Sequence, residues 1–285
     1  MYERHKYKEG MGFEDFDEPV GTIKYDGAHF FLRINKDGSP SYISRRQSVK
    51  GHYPDRTAQL PHLSDFSLPK RAGNVYSVEL IHTGHDRDAK ESHNIVSGIL
   101  NSLPPRAISS QMVNGPVRAV LLDVIHPKIT TYRDKMDHLQ KLQQDIKKPD
   151  LIFTPELKIG KAEILKLIKE TKKKNQEGVI VTSLTAEDAK NPRWKIKHFR
   201  TYNLRVVGTE EEVDKNGKPK GTMGSLVLQD STGRMVGKVG TGFSREDRRA
   251  KWVGRLIQVK AMDPLAGQLR QAVYNGEADG DIDRV

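Results

Sequence analysis

Lys24 is followed two residues later by an aspartate and then a glycine, in "KYDG" (Lys24 to Gly27). A lysine in such a place is either ordinary solvated charge or an amine held against a pocket as a nucleophile. Asp26-Gly27 is a turn signal in both cases. Other residue types able to do chemistry follow in order: Ser44-Arg45-Arg46, Glu79 inside "SVELIH", Asp123 inside "LLDVIH", Glu177 in "QEGVIV", and Lys195 and Lys197 in "RWKIKHF". Lys195 and Lys197 alternate with Ile196 and so share one face of a strand. Taken singly, Glu79 and Glu177 read equally as strand-end surface carboxylates and the two lysines as a solvated face. His82, His85, Asp86, Asp88 and His93 lack the tight spacing of a transition-metal site and read as a polar loop.

The elements that position these residues come from the hydrophobic pattern. "GTIKYDGAHFFLRI" (Gly21 to Ile34) reads as two short strands joined by a turn. "VYSVELIHTG" and "VRAVLLDVIH" are apolar runs of strand length, while "KESHNIVSGILNSL", "TTYRDKMDHLQKLQQDI" and "KAEILKLIKETKKK" are helical. In the last of these Ile164, Leu165 and Ile168 form the apolar side, with Lys166, Lys169 and Lys172 to Lys174 facing solvent. From Tyr202 the pattern becomes short strands punctuated by "KNGKPKG", "DSTG" and "REDRR", which predicts a small barrel of oligonucleotide-binding type. The expected organisation is α+β in two domains, residues 1–202 and 203–285, the first opening with an N-terminal arm of about 20 residues.

Composition narrows the partners. The 285 residues carry a formal charge of +11, which favours a polyanionic partner. Arg245, Arg248, Arg249, Lys251 and Arg255 gather around Trp252, the mixture of a phosphate-contacting loop, diluted by Glu246 and Asp247. The absence of cysteine rules out disulfides, zinc ribbons and thiol catalysis in this sequence. No apolar run has the length of a membrane span and the start, "MYERHKYKEG", is polar, so a cytoplasmic protein without a membrane partner is expected.

As an ordered set, "KYDG", "SRR", "VELIH", "LLDVIH" with "TYRDKMDHL", "EGVIV" and "WKIK" resemble the motifs of the covalent nucleotidyltransferases. The resemblance is greatest to the compact ATP-dependent DNA ligases of bacteriophage type, and it covers nearly the whole chain. "GSLVL" and "GKVGTGFS" resemble the barrel of the DNA ligases in particular. The resemblance implies an adenylylation domain of antiparallel sheets with flanking helices, an OB-fold barrel, ATP as co-substrate with Mg²⁺, and nicked duplex DNA as the partner of a monomer.

It also implies roles. Lys24 would become the lysine-AMP, with Thr22 and Ile23 beside the nucleotide and Asp26 assisting the site and the metal. Arg45, Lys195 and Lys197 would balance charge on the α-phosphate, Glu79 would accept from a ribose hydroxyl, and Glu177 would hold Mg²⁺. Arg46, Arg245, Arg248, Arg249 and Lys251 would contact DNA.

Three positions depart from the family pattern. His29 stands where an arginine is common, and Leu122 where an aromatic usually flanks the adenine. The C-terminal basic motif that orients pyrophosphate is not legible in "LRQAVYNGEADGDIDRV", leaving Arg270 for part of that role. An RNA ligase or an mRNA-capping guanylyltransferase shares the lysine chemistry. A nonenzymatic nucleic-acid-binding protein would use the same lysines only to meet phosphates. An NAD-dependent ligase fits poorly, because that group resembles a longer chain with cysteine-ligated zinc.

Overall fold

The computed structural model describes residues 16–48, 50–82, 89–126, 128–187, 193–214, 217–265 and 267–285. Most of the expected N-terminal arm, and His85, Asp86 and Asp88 of the polar loop, lie outside these residues. The chain divides into two compact units, residues 1–196 and 197–285.

The first unit contains β1 (Pro19–Lys24), β2 (Ala28–Ile34), β3 (Pro40–Ser44), α1 (Pro61–Ser64), β4 (Val75–His82), α2 (Ala89–Leu100), α3 (Pro104–Asn114) and β5 (Val117–Ile125). It continues through α4 (Tyr132–Ile146), β6 (Ile152–Phe153), β7 (Lys158–Ile159), α5 (Lys161–Lys173), β8 (Gly178–Ser183) and β9 (Trp194–Lys197). Two sheets result, one ordered β7-β1-β8-β9 and the other β3-β2-β4-β5-β6. Their ladders are antiparallel where β1 meets β7 and β8 and where β2, β3, β4 and β5 meet, and parallel between β5 and β6.

β1 and β2 are joined by a turn, as the sequence predicts, yet they are not partners. β1 pairs with β8 and β2 with β4, so Asp26-Gly27 carries the chain from one sheet to the other. Gly27 is required at this crossing because a Cβ there would press into the Leu80 carbonyl oxygen and lie 2.9 Å from Ile81 Cγ2. His93 on α2 fixes the same turn, its Nδ1 lying 2.9 Å from the Gly27 carbonyl oxygen.

The five-stranded sheet buries Leu32, Ile34, Val78 and Leu80 with Val96, Ile99, Leu139 and Leu142 from the helices. α5 packs on the four-stranded sheet through Ile164 and Leu167, reaching β1 where Gly21 has no side chain. The apolar stripe of α5 thus runs Ile164, Leu167, Ile168, and Leu165, about 100° round the helix from Ile164, is 43% exposed. α3 is absent from the elements expected from the sequence; Pro104 and Pro105 occupy its first turn, where a missing N–H costs nothing.

The second unit is β10 (Arg200–Val213), β11 (Pro219–Gln229), β12 (Met235–Val239), β13 (Leu256–Leu265) and β14 (Gln268–Glu277), in the order β12-β11-β10-β13-β14 and antiparallel throughout. Its outer strands approach each other: the Gln268 amide donates to the Met235 carbonyl at 2.8 Å, and a Cβ on Gly237 would sit 3.6 Å from Leu269. No ladder joins them among the described residues, so the unit is a partly open five-stranded barrel of oligonucleotide-binding type. Leu204, Val206, Leu226, Leu228, Ile257 and Val259 fill it.

Candidate active site

A cavity of about 500 Å³ opens in the first unit, lined by residues from both sheets. β1 supplies Thr22, Ile23 and Lys24. The β1–β8 register sets Lys24 opposite Gly178, which brings Glu177 beside it, and the Lys24 ammonium donates to the Glu177 carboxylate. That carboxylate is 4% exposed and the lysine 17%, and Lys24 itself lines the cavity.

The second sheet contributes Glu79 from β4, directly across from His29 on β2. Burial pushes the Glu79 carboxyl up to about 7, with Lys24 opposing the shift and the charges of Glu177 and Asp26 adding to it. His29 does not reach out as an arginine would; its Nε2 lies 2.8 Å from Ser77 Oγ. Arg45, just after β3, and Lys195 on β9 also line the cavity.

Past Thr22 the lining is Leu122 and Asp123 of β5, Tyr132 at the start of α4, and Arg193 just before β9. Asp123 accepts from the buried Lys135 at 3.1 Å and from the Arg193 guanidinium at 2.9 Å. Arg193 lies over the Tyr132 ring, 5.3 Å from its centroid. Thr131 caps α4 by accepting from the Asp134 backbone N–H at 3.2 Å, placing Tyr132 at the first helical position.

The structure therefore gathers Thr22, Ile23, Lys24, Arg45, Glu79, Leu122 and Lys195 around one cavity, with Glu177 bonded to Lys24. Asp26 is buried at the turn behind them and acts on Glu79 through its charge. Lys197 opens the second unit, where it donates to Gln271 Oε1 at 2.5 Å. Arg46 is exposed beside Arg45. Arg270 lies on β14 opposite Met262.

In the basic loop Arg245, Arg249 and Lys251 are exposed, but the Arg248 guanidinium is spent on the carbonyls of Met223 (2.8 Å), Gly224 (3.3 Å) and Gly240 (2.9 Å). Trp252, read with that loop, is in the barrel core at 2% exposure, donating to the Asp247 carbonyl. Tyr132 and Arg193 were missed by the sequence reading. The one signal for Arg193 was its place two residues before Lys195, on the same alternation.

Among the described residues no three of His, Asp or Glu gather into an ion cage. Glu177 with one neighbouring carboxylate suits Mg²⁺, which keeps waters and phosphate oxygens as ligands and takes only one or two carboxylates from protein.

No family model and no curated protein sequence matches the chain. Solved structures do. The fold is similar to that of a Lig E DNA ligase, studied as DNA binding with a minimal scaffold, at TM-score 0.66 and 16% identity over 98% of this chain and 100% of that one. It is similar to the ATP-dependent DNA ligase of bacteriophage T7 in complex with ATP, at TM-score 0.52 and 16% identity over 97% and 98%. A protein designated Pmar-Lig_Pre gives TM-score 0.66 and 17% identity over 92% of this chain and 64% of that one. The chain has the fold of these proteins, a nucleotidyltransferase unit followed by an OB barrel.

Proposed function

We propose that the chain is an ATP-dependent DNA ligase that seals 5′-phosphate/3′-hydroxyl nicks in duplex DNA through a lysine-AMP and a DNA-adenylate. The observation that carries this reading is Lys24, held at the end of β1 inside the cavity and bonded to Glu177, with Glu79, Arg45 and Lys195 around it. The shared fold supports it, as does the basic surface.

In the first step Lys24 loses a proton, its Nζ lone pair forms a P–N bond to the α-phosphorus of ATP, and the bond to the β-phosphate oxygen breaks. Arg45 and Lys195 offset charge on the α-phosphate as it develops. Glu79 receives a ribose hydroxyl. Bound Mg²⁺, held by Glu177 with Asp26 near it, would supply charge neutralisation on the phosphate oxygens. Pyrophosphate departs, with Arg270 as the residue assigned to orient it.

A 5′-phosphate oxygen of the nick then attacks the adenylate phosphorus, breaking the P–N bond and returning Lys24 to an amine. Finally the 3′-hydroxyl attacks the 5′-phosphorus, forming the phosphodiester and expelling AMP. Arg46, Arg245, Arg249 and Lys251 are assigned to the duplex backbone, and the protein works as a monomer in the cytoplasm.

The test is incubation with Mg²⁺ and ATP labelled at the α-phosphate, followed by peptide mapping and a challenge with nicked DNA. Acid-labile label on Lys24, discharged by nicked DNA with sealing, is expected. Label discharged by nicked RNA and not by nicked DNA would move the reading to an RNA ligase. Absence of label from folded, AMP-free protein would overturn the first step.

A further inference from the structure

α5 carries a row of cations on the side of the four-stranded sheet away from the cavity. A Cβ on Gly21 of β1 would lie 3.1 Å from Ile164 and 3.5 Å from Leu167, and Ile23 of β1 with Val179 and Val181 of β8 packs in the same cluster. Side chains alternate along a strand, so Thr22 and Lys24 leave β1 by the opposite face, toward the cavity they line. The sheet thus separates the helix from Lys24.

Ile164, Leu167 and Thr171 are the buried side of α5. Opposite them stand Lys166, Lys169 and Lys173, all exposed, within about 60° of one another around the helix and spread over about 10 Å of its axis. Lys172 is exposed beside the row. Lys172 and Lys173 complement the negative end of the helix dipole, but Lys166 and Lys169 lie a turn or more before it, where a like charge three or four residues away destabilises a helix.

The usual relief is an acid at that spacing, and Glu163 and Glu170 stand three and four residues from Lys166. Among the described residues, however, Lys166, Lys169, Lys172 and Lys173 make no ion pair, whereas the exposed Lys220 and Lys238 are paired with Glu212 and Glu210. Glu163 and Glu170 act on Lys158 of β7, adding to the upward shift that its bond to Glu156 causes.

What accompanies the lysines narrows their partner. Lysine is a point charge without the planar fork of arginine, and no aromatic side chain stands on α5 for an unpaired base to stack on. Of the large apolar side chains on the helix only Leu165 is exposed, too little to seat it in a membrane. A phosphate backbone met without regard to sequence fits such a face.

We infer that Lys166, Lys169, Lys172 and Lys173 form a second nucleic-acid surface, which holds the backbone of a duplex segment other than the one whose nick reaches Lys24. The choice of DNA as the polyanion rests on the ligase reading above. The consequence is an enzyme that stays on unnicked duplex, and brings two segments together, while its cavity is free or occupied elsewhere.

The test uses the full chain with all four lysines changed to glutamine, which keeps helix propensity. Binding to a short unnicked duplex without 5′-phosphates is followed by anisotropy across a salt series. The variant is expected to bind about tenfold or more weakly at low salt, with the slope of log K against log salt shallower by about 0.9 per lysine removed. Wild type saturated with nicked duplex should capture a second duplex, read as energy transfer between a donor on one and an acceptor on the other, and the variant should lose that transfer. Labelling of Lys24 by ATP and sealing of saturating nicked duplex should stay within about twofold, and Tm within about 1 °C.

An unchanged salt slope would overturn the surface. A shallower slope with no capture of a second duplex by wild type would put the lysines on the same duplex as Lys24 and overturn the second segment. Loss of binding to phosphatidylserine vesicles with an unchanged duplex slope would assign the row to lipid instead. A wild type that captures two duplexes but takes no label at Lys24 would overturn the ligase reading and leave the surface standing.

Discussion

Lys24 and Glu177, far apart in the chain, are bonded ammonium to carboxylate because β1 and β8 pair with Lys24 opposite Gly178. The contact places the proposed nucleophile and the carboxylate proposed to hold Mg²⁺ in one spot and also ties them to each other. An ammonium donating to a carboxylate has no lone pair with which to attack, so Lys24 must give up a proton before chemistry. In the proposed reading, a divalent cation held by Glu177 would favour that change. Glu177→Gln is expected to lower Lys24 labelling by about 10²–10³-fold, and chelation of divalent ions to abolish it in wild type. Labelling that proceeds at the wild-type rate in Glu177→Gln would remove Glu177 from the first step.

Glu79 makes stability depend on pH in a direction opposite to most carboxylates. Burial raises its carboxyl from 4.5 to about 7, so the folded protein binds that proton more tightly than the unfolded chain. Native stability at this group is therefore greatest at low pH and falls as pH rises from about 4.5 through about 7. At about 1.4 kcal/mol per pH unit the effect is about 3 kcal/mol at most. Glu79→Gln, neutral throughout, should gain in Tm over wild type between pH 5 and pH 8 when both are melted in EDTA. A gap constant across that range would show that the carboxyl is not held in this way.

Two glycines should respond oppositely to alanine. Gly27 has the Leu80 carbonyl oxygen where its Cβ would go, so Gly27→Ala must displace the crossing between the sheets and should cost about 1–3 kcal/mol. Gly98, on α2, has nothing within 4 Å of that position, and alanine there should add about 0.5–1 kcal/mol through helix propensity. Thermal melting of the two variants decides it; equal effects would contradict the packing at Gly27.

These contrasts also mark what a sequence can carry. Lys24 and the alternation around Lys195 are local, written in the strand that holds each residue, and the structure sets both at the cavity. Which strand lies beside β1 is not local: the turn at Asp26-Gly27 looks the same whether β2 folds back on β1 or crosses to another sheet. Tyr132 reads as the apolar start of an amphipathic helix, and only the folded positions of Thr22 and Arg193 reveal that its ring lines the cavity. Leu165 fits an apolar run, yet the helical period turns it outward.

The basic loop of the second unit separates into two kinds of arginine that the charge run does not distinguish. Arg248 donates to three carbonyls of β11 and of the turn after β12, and its guanidinium also lies 6.0 Å from the Phe243 ring centroid. Arg248→Ala leaves those carbonyls with fewer donors and should cost about 1–3 kcal/mol of stability, seen as a lower Tm. Arg245, Arg249 and Lys251 are exposed. Their removal should leave Tm within about 1 °C, because surface charges away from packed features contribute little. If each meets a phosphate, the slope of log K for nicked DNA against log salt should become shallower by about 0.9 per residue removed. The two measurements divide the loop cleanly: a salt slope unchanged in the triple variant would take the exposed residues off the duplex, and an unchanged Tm in Arg248→Ala would mean its three carbonyl bonds do not hold the loop.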